Sequence, residues 1–270
     1  MAREFCYWVG GEGSKSWNDT ANWAATEGGT SGQTVPVSTD TVYINRGTSK
    51  IDTGLDQSAV NLAALHINFA GTIGTEATSL VLGSSAFINY NCGGTCYINP
   101  GTATIMYVYN TFDTVLYITG ASSLGGSWIG RGTIIISGST GGSGWVNVGG
   151  TIVVQSTGTW NSMDNTLGKI IFADGSVVTN CQGYSGTVSF SRTASVTTLG
   201  LRNCFCDWRS INTITSLLLS GQATISARSA VTPFTVTNTT IYGPQNRLFN
   251  DAVVNITYTN PVVYRVTTHA

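Results

Sequence analysis

GTIIIS (Gly132–Ser137), GTIVVQ (Gly150–Gln155), GKIIFA (Gly168–Ala173) and GTVSFS (Gly186–Ser191) are four versions of one segment. Their leading glycines are spaced by a constant step of eighteen. Self-similarity at a fixed period is the signature of a solenoid, in which each repeat buries its apolar face only by stacking on its neighbours. Within each segment the apolar residues alternate, and alternate residues of a strand share a face. The spacing therefore predicts two inward columns. One holds Ile134, Ile152, Ile170 and Val188, extended back to Leu116 and Leu80 and forward to Cys206 and Thr224. Its companion holds Ile136, Val154, Phe172 and Phe190, extended back to Ile118 and Leu82 and forward to Trp208 and Ser226. The register fits badly near Ile98–Pro100, where an insertion or bulge is expected.

A looser second element recurs about midway through each repeat, in GSWIG (Gly126–Gly130), GWVNV (Gly144–Val148) and TWNSM (Thr159–Met163). Its spacing drifts, so the turns vary in length while the main strand keeps register. A left-handed helix of three hexapeptides has the same period, but counting by six from Ile134 meets Asp164 and Gln182. The expected fold is all-β: a single-stranded, mainly parallel β-solenoid, right-handed or irregular. Residues 77–240 would form its body; from 79 to 250 there is room for about nine coils and a rod of about 40–45 Å at the usual strand spacing.

Composition narrows the function classes. Charged residues are 9% of the chain against a usual ~25%. Hydrophobic residues are 41% and the net charge is −1. Disorder needs the opposite balance. Nucleic-acid binding rests on clustered Lys and Arg, and the twelve basic residues here are scattered. No apolar run approaches the ~18 residues of a membrane span. MAREFCYWVGG lacks the apolar core of an export signal, so synthesis in a cytoplasm is expected. The six cysteines, at positions 6, 92, 96, 181, 204 and 206, read as buried free thiols rather than as a disulfide or a metal site.

Residues 1–76 differ in texture. They hold Trp8, Trp17 and Trp23 and eight of the thirteen acidic residues. Three indoles within sixteen positions, divided by Gly and Asn, suggest a small aromatic cluster that closes the first coil; sugar stacking on exposed rings is the alternative. A solenoid needs its open strand edges covered. Residues 1–76 are the expected cap and docking region at one end. Residues 241–270, with Pro244 and Pro261, are a cap or partner-binding tail at the other.

CYWVGGEGSKSWNDTANWAATEGGTSGQTVPVSTDTVYIN (Cys6–Asn45) resembles a module of the form W-V-G-G … W-(N/D)-D … N-W … G-G … V-P … D-x-V. That module precedes β-helical regions in phage structural proteins and in some bacterial surface proteins. The matching positions are Trp8, Gly10, Gly11, Trp17, Asn22, Trp23, Gly28, Gly29, Pro36 and Asp40. The resemblance implies a virion or surface structural role. It makes Trp8, Trp17, Trp23, Pro36 and Asp40 cap or docking residues.

The search for chemistry finds little. Glycoside cleavage needs two carboxylates about 5–9.5 Å apart, which in a solenoid means acids near one or two repeats apart. Beyond Glu76 and before residue 251 the acids are Asp113, Asp164, Asp174 and Asp207. Asp174 and Asp207, just under two repeats apart, are the best pair, with Arg192 or Arg209 near; an Asp in the turn ADGS (Ala173–Ser176) is usually a turn residue. His66 and His269 are the only histidines, and no serine stands in a nucleophile motif. No cofactor, metal or catalytic residue is expected. The surface signal is the position between the two inward columns: Tyr117, Ile135, Val153 and Ile171, then Ser189 and Asp207. An outward apolar stripe on a chain with few charges fits contact with a second subunit; cover by the chain's own loops fits it equally.

The expected function is a non-enzymatic phage virion structural protein, a capsid decoration or head-fibre protein. It would assemble in the host cytoplasm and reside in the virion. Its partners would be further copies of itself, with a trimer as the guess, and the major capsid protein or another virion component. Host glycan is a further partner to weigh. Neither nucleic acid nor a membrane is expected. The alternative is a carbohydrate-binding or depolymerising β-helix of a tail fibre or cell surface.

Overall fold

The computed structural model describes residues 6–10, 15–45, 50–85, 87–102, 105–120, 124–138, 140–227, 235–242, 247–249 and 257–264. The fold is an all-β, parallel β-solenoid with about 18 residues per turn. The chain divides into two compact units, Met1–Thr140 and Gly141–Ala270.

The second unit keeps the sequence period most closely. Ile152, Ile170, Val188 and Cys206, spaced by the same step of eighteen, are successive partners in parallel strands. Val154, Phe172, Phe190 and Trp208 form the companion column. All eight side chains are fully buried. The aromatic rings stack along the column, Phe172 on Phe190 at 4.8 Å and Phe190 on Trp208 at 4.9 Å between centroids. The looser element forms the facing wall, where Met163, Cys181, Leu199 and Leu217 follow one another across paired strands. The core is the space between these walls, filled from both sides.

The repeated glycines mark one corner of the coil. Gly150, Gly168 and Gly186 have φ of 61°, 113° and 76°, in the left-handed half of backbone space that L side chains avoid. They also lie directly over one another. A Cβ on Gly168 would come within 2.6 Å of the Gly150 carbonyl oxygen, and one on Gly186 would collide with that of Gly168.

Two registers differ from expectation. After Cys206 the inward partner is Ile225, and Ser226 pairs with Asp207, so Thr224 and Ser226 are each displaced by one. Leu219 still pairs with Leu201, one regular step before it, which places the extra residue in the Ser220–Ala223 turn. There Gln222 N donates to Asn203 Oδ1 (2.9 Å).

In the first unit, Ile51, Ile73, Cys96, Leu116 and Ile134 form one column. Leu80, Ile98, Ile118 and Ile136 form its companion. Leu80 therefore belongs beside Ile98 rather than in line with Leu116. The coils here are longer than in the second unit: Leu116 follows Cys96 by twenty positions, and Cys96 follows Ile73 by twenty-three. The expected insertion near Ile98–Pro100 is part of this lengthening. The facing wall runs Val42, Leu65, Ile88, Met106 and Gly126.

Parallel coiling thus reaches back to Thr41–Ile44, inside the region read as a cap. The chain before it runs differently. Cys6–Trp8 pairs antiparallel with Trp23–Ala24 and parallel with Thr41–Ile44. At the other end, Thr235–Tyr242 pairs in parallel with Thr257–Tyr264. Within the expected tail, residues 243–246, 250–256 and 265–270, with Pro244 and His269, lie outside the described residues.

Phe172 begins the aromatic column, between Val154 and Phe190, with no exposed surface. Phe172→Ala should destabilise the protein by about 3–5 kcal/mol through the cavity it leaves. Chemical denaturation measures this, and a loss within about 0.5 kcal/mol, the scale of a surface substitution, would contradict the column.

Candidate functional site

The N-terminal indoles are the first candidates, and they are packed. Trp8, Trp17 and Trp23 have no exposed surface. Trp23 meets Trp8 edge-on at 5.3 Å and Trp17 at 4.9 Å. Trp23 Nε1 donates to the Trp17 carbonyl oxygen (2.7 Å). Rings buried on both faces offer nothing for a sugar to stack on, so the cluster acts as an internal plug. Pro36 is buried beside Val37, and fully buried Asp40 accepts from Val37 N through Oδ2 (2.9 Å). Asp40 thereby closes the turn that feeds Thr41–Ile44.

The outward stripe is present as columns within each unit. In the first, Tyr97, Tyr117 and Ile135 are partners in successive strands, and the two tyrosine rings stack at 4.4 Å, nearly parallel. In the second, Val153, Ile171, Ser189 and Asp207 follow one another. Each of these side chains is half-buried. Neighbours along the column cover part of each; the outward face remains open. Phe205, two residues before Asp207, is 42% exposed and widens the apolar surface of the second unit.

The acidic pair has structural work at each member. Asp174 Oδ1 accepts from Thr193 N (2.8 Å) and Thr193 Oγ1 (3.2 Å), tying one turn to the next. Asp207 holds the Arg209 guanidinium at 2.8 Å. Asp164 is half-buried, and burial raises its carboxyl above the ordinary carboxylate range. Among the described residues no group of three or more His, Cys, Asp or Glu could hold a metal ion.

His66 stacks on Tyr43 at 4.7 Å. Burial lowers its pKa below the usual 6.5. Below that pH the unfolded chain binds more protons than the folded one, so stability rises with pH through this window. Melting temperature should therefore fall on going from about pH 7 to about pH 5. His66→Phe, which keeps a ring on Tyr43, should flatten that part of the profile. An unchanged profile in the variant would remove His66 as its source.

Cys92, Cys96, Cys181, Cys204 and Cys206 are free and buried, as expected for interior thiols. Burial pushes Cys181 and Cys206 well above the ordinary thiol range and Cys204 up to about 11. Thiolate, the reactive form, is thereby suppressed at these three. Brief alkylation of the native protein should spare Cys181, Cys204 and Cys206, and alkylation after unfolding should label them, as read by peptide mass spectrometry. Prompt native labelling of Cys181 or Cys206 would show that the column opens readily.

Two features escaped the sequence reading. Asn147 and Asn165 are fully buried inside the bend of successive coils. Asn147 Nδ2 donates to Asn165 Oδ1 (2.8 Å), and Asn165 Nδ2 donates to the carbonyl oxygen of Ser185 (2.9 Å). They satisfy polar groups at a corner that water does not reach. Their separation by one full repeat was the available signal. The second feature is a half-open depression of about 250 Å³ on the wall of the second unit, lined by Gln182, Tyr184, Gly200, Arg202, Leu218 and Ser220 among others. No sequence motif marks it, because its residues belong to consecutive coils.

In comparisons with known proteins, no family model, curated protein or solved structure matches this chain. The resemblance of Cys6–Asn45 to a phage and bacterial surface module rests on its own residues.

Proposed function

We propose that this protein is a non-enzymatic, fibre-like structural component that works by self-association. More finely, we propose that it is a phage virion protein, a capsid decoration or head fibre, assembled in the host cytoplasm. A β-solenoid fold is compatible with a structural or fibre-like role. The observation that carries the reading is the apolar outward column, represented in the second unit by half-buried Val153 and Ile171. Only 9% of the chain is charged, so little repulsion opposes contact between such faces. A second copy of the chain presents the same flat aliphatic strip, which suits a closed homo-oligomer; a trimer is the form proposed. The virion assignment rests on the resemblance carried by Trp8, Trp17, Trp23, Pro36 and Asp40. The major capsid protein, or another virion component, is the proposed docking partner.

Light scattering coupled to size-exclusion chromatography tests the assembly. The wild-type chain should run as an oligomer. Val153→Asp with Ile171→Asp should give a folded monomer, because the inward columns are untouched. A wild-type monomer would overturn the self-association reading. Detection of this chain among the proteins of purified phage particles, by mass spectrometry, would support the virion assignment. Its absence from particles that package the gene encoding it would overturn that assignment alone.

A further inference from the structure

We infer that the depression around Gly200 is a binding site for an acidic oligosaccharide. Two outward columns run side by side on this wall. One passes from Asp164 to Gln182, Gly200 and Leu218 in successive coils. In the other, Arg202 is followed by Ser220 and Tyr242, and Tyr184 stands one repeat before Arg202. Gly200 interrupts the first column and lines the hollow. The Gln182 side chain lies across it, so that a Cβ on Gly200 would collide with the amide oxygen. Gln182 Nε2 donates to Asn180 Oδ1 (2.7 Å), which fixes the amide in place. The floor is therefore a held amide group.

The rim supplies the other parts of a sugar site. The Tyr184 ring is 45% exposed, and the Leu218 side chain is 36% exposed on the opposite edge. Tyr242 is 48% exposed further along the Arg202 column. Tyrosine offers a flat apolar face with a polar tip, which suits the C–H face and hydroxyl edge of a pyranose. Arg202 is exposed, and among the described residues it makes no ion pair. An unopposed guanidinium recognises a carboxylate in two-point geometry, which points to a uronic or similar acidic unit. Ser220 adds a hydroxyl on the next coil.

The spacing favours an extended ligand. Successive members of a column are one strand apart, ~4.8 Å, so ring, guanidinium, hydroxyl and ring recur along a line. A repeating polymer can meet them in turn. The hollow is smaller and more open than the apolar pockets of about 300–1,000 Å³ that bury drug-sized ligands. A protein partner would need a much larger apolar centre than Leu218 and two tyrosine edges provide. The site does not depend on the oligomeric reading.

An array of bacterial surface oligosaccharides, neutral and uronic-acid-bearing, is the first probe, followed by titration calorimetry of the wild-type chain with its strongest acidic glycan and that glycan's neutral counterpart. Wild type should prefer the acidic glycan. Tyr184→Ala should weaken binding by at least about fivefold. Arg202→Gln should erase the preference for acidic over neutral glycan, while Arg202→Lys should keep part of it. Gly200→Ala should weaken binding by displacing the Gln182 amide, since the backbone at Gly200 does not need glycine's positive φ. Tyr109→Ala, an exposed ring in the other unit, should change nothing. Binding to no glycan, equal binding of acidic and neutral glycans, loss in the Tyr109 variant alone, or capture of a protein at Tyr184 in place of sugar would overturn the assignment.

Discussion

The first coils of the second unit turn on glycine lying over glycine. The carbonyl oxygen of Gly150 occupies the place where a Cβ of Gly168 would go, and the Gly168 carbonyl stands in the same relation to Gly186. That approach lets the backbone turn the same corner at Gly150, Gly168 and Gly186. Once the corner repeats, the strands after it repeat, and parallel hydrogen bonds lock each residue to its counterpart one coil later. Apolar columns result from that lock. The burial of Ile152, Ile170 and Val188 is thus both a consequence of the corner and the main source of its stability, because backbone pairing alone contributes modestly once exchange with water is counted.

Turn length decides which parts of the fold were legible in the sequence. The count of eighteen reads true from Ile152 to Cys206, where each turn has the same length. A glycine corner does not itself set that length, because Gly94 lies over Gly71 in the same way in a coil of twenty-three. Between Ile73 and Leu116 the turns grow without disturbing the strands, since loop length costs conformational entropy only slowly, so the count carried back to Leu80 landed in the neighbouring column. The slip at Ile225 has the same origin. One residue added in the Gly221–Gln222 turn shifts the next strand, while Leu219, before that turn, stays paired with Leu201. The N-terminal tryptophans were legible as a cluster because large rings separated by turn residues have few other places to go. Their edge-on geometry depends on Cys6–Trp8 running antiparallel to Trp23–Ala24, which no periodicity announces.

The candidate surfaces divide along the same line. The outward stripe is a property of one strand position, so alternation alone placed Tyr117, Ile135, Val153 and Ile171. The Gly200 depression is a property of neighbouring coils. Gln182, Gly200 and Leu218 look unrelated in sequence until the repeat aligns them. The acidic pair reads from separation alone. Asp174 and Asp207 each have a partner of their own, Thr193 and Arg209.

A solenoid wall has a consequence for recognition that a globular pocket lacks. Its residues are presented at a pitch set by backbone hydrogen bonding, so the backbone spacing between Arg202 and its column neighbour Ser220 is fixed before any ligand arrives. Preorganisation of that kind lowers the ordering cost of binding. It matters most for weak, repeated contacts to a polymer, where each unit contributes little. An apolar column and a polar, aromatic column can coexist in one such unit because each occupies a different strand position. The first is the proposed contact with a neighbouring copy, whose strip would have the same pitch. The second is the proposed contact with a chain of repeating units. Self-association would then multiply the weaker interaction by raising the effective concentration of sites along the ligand.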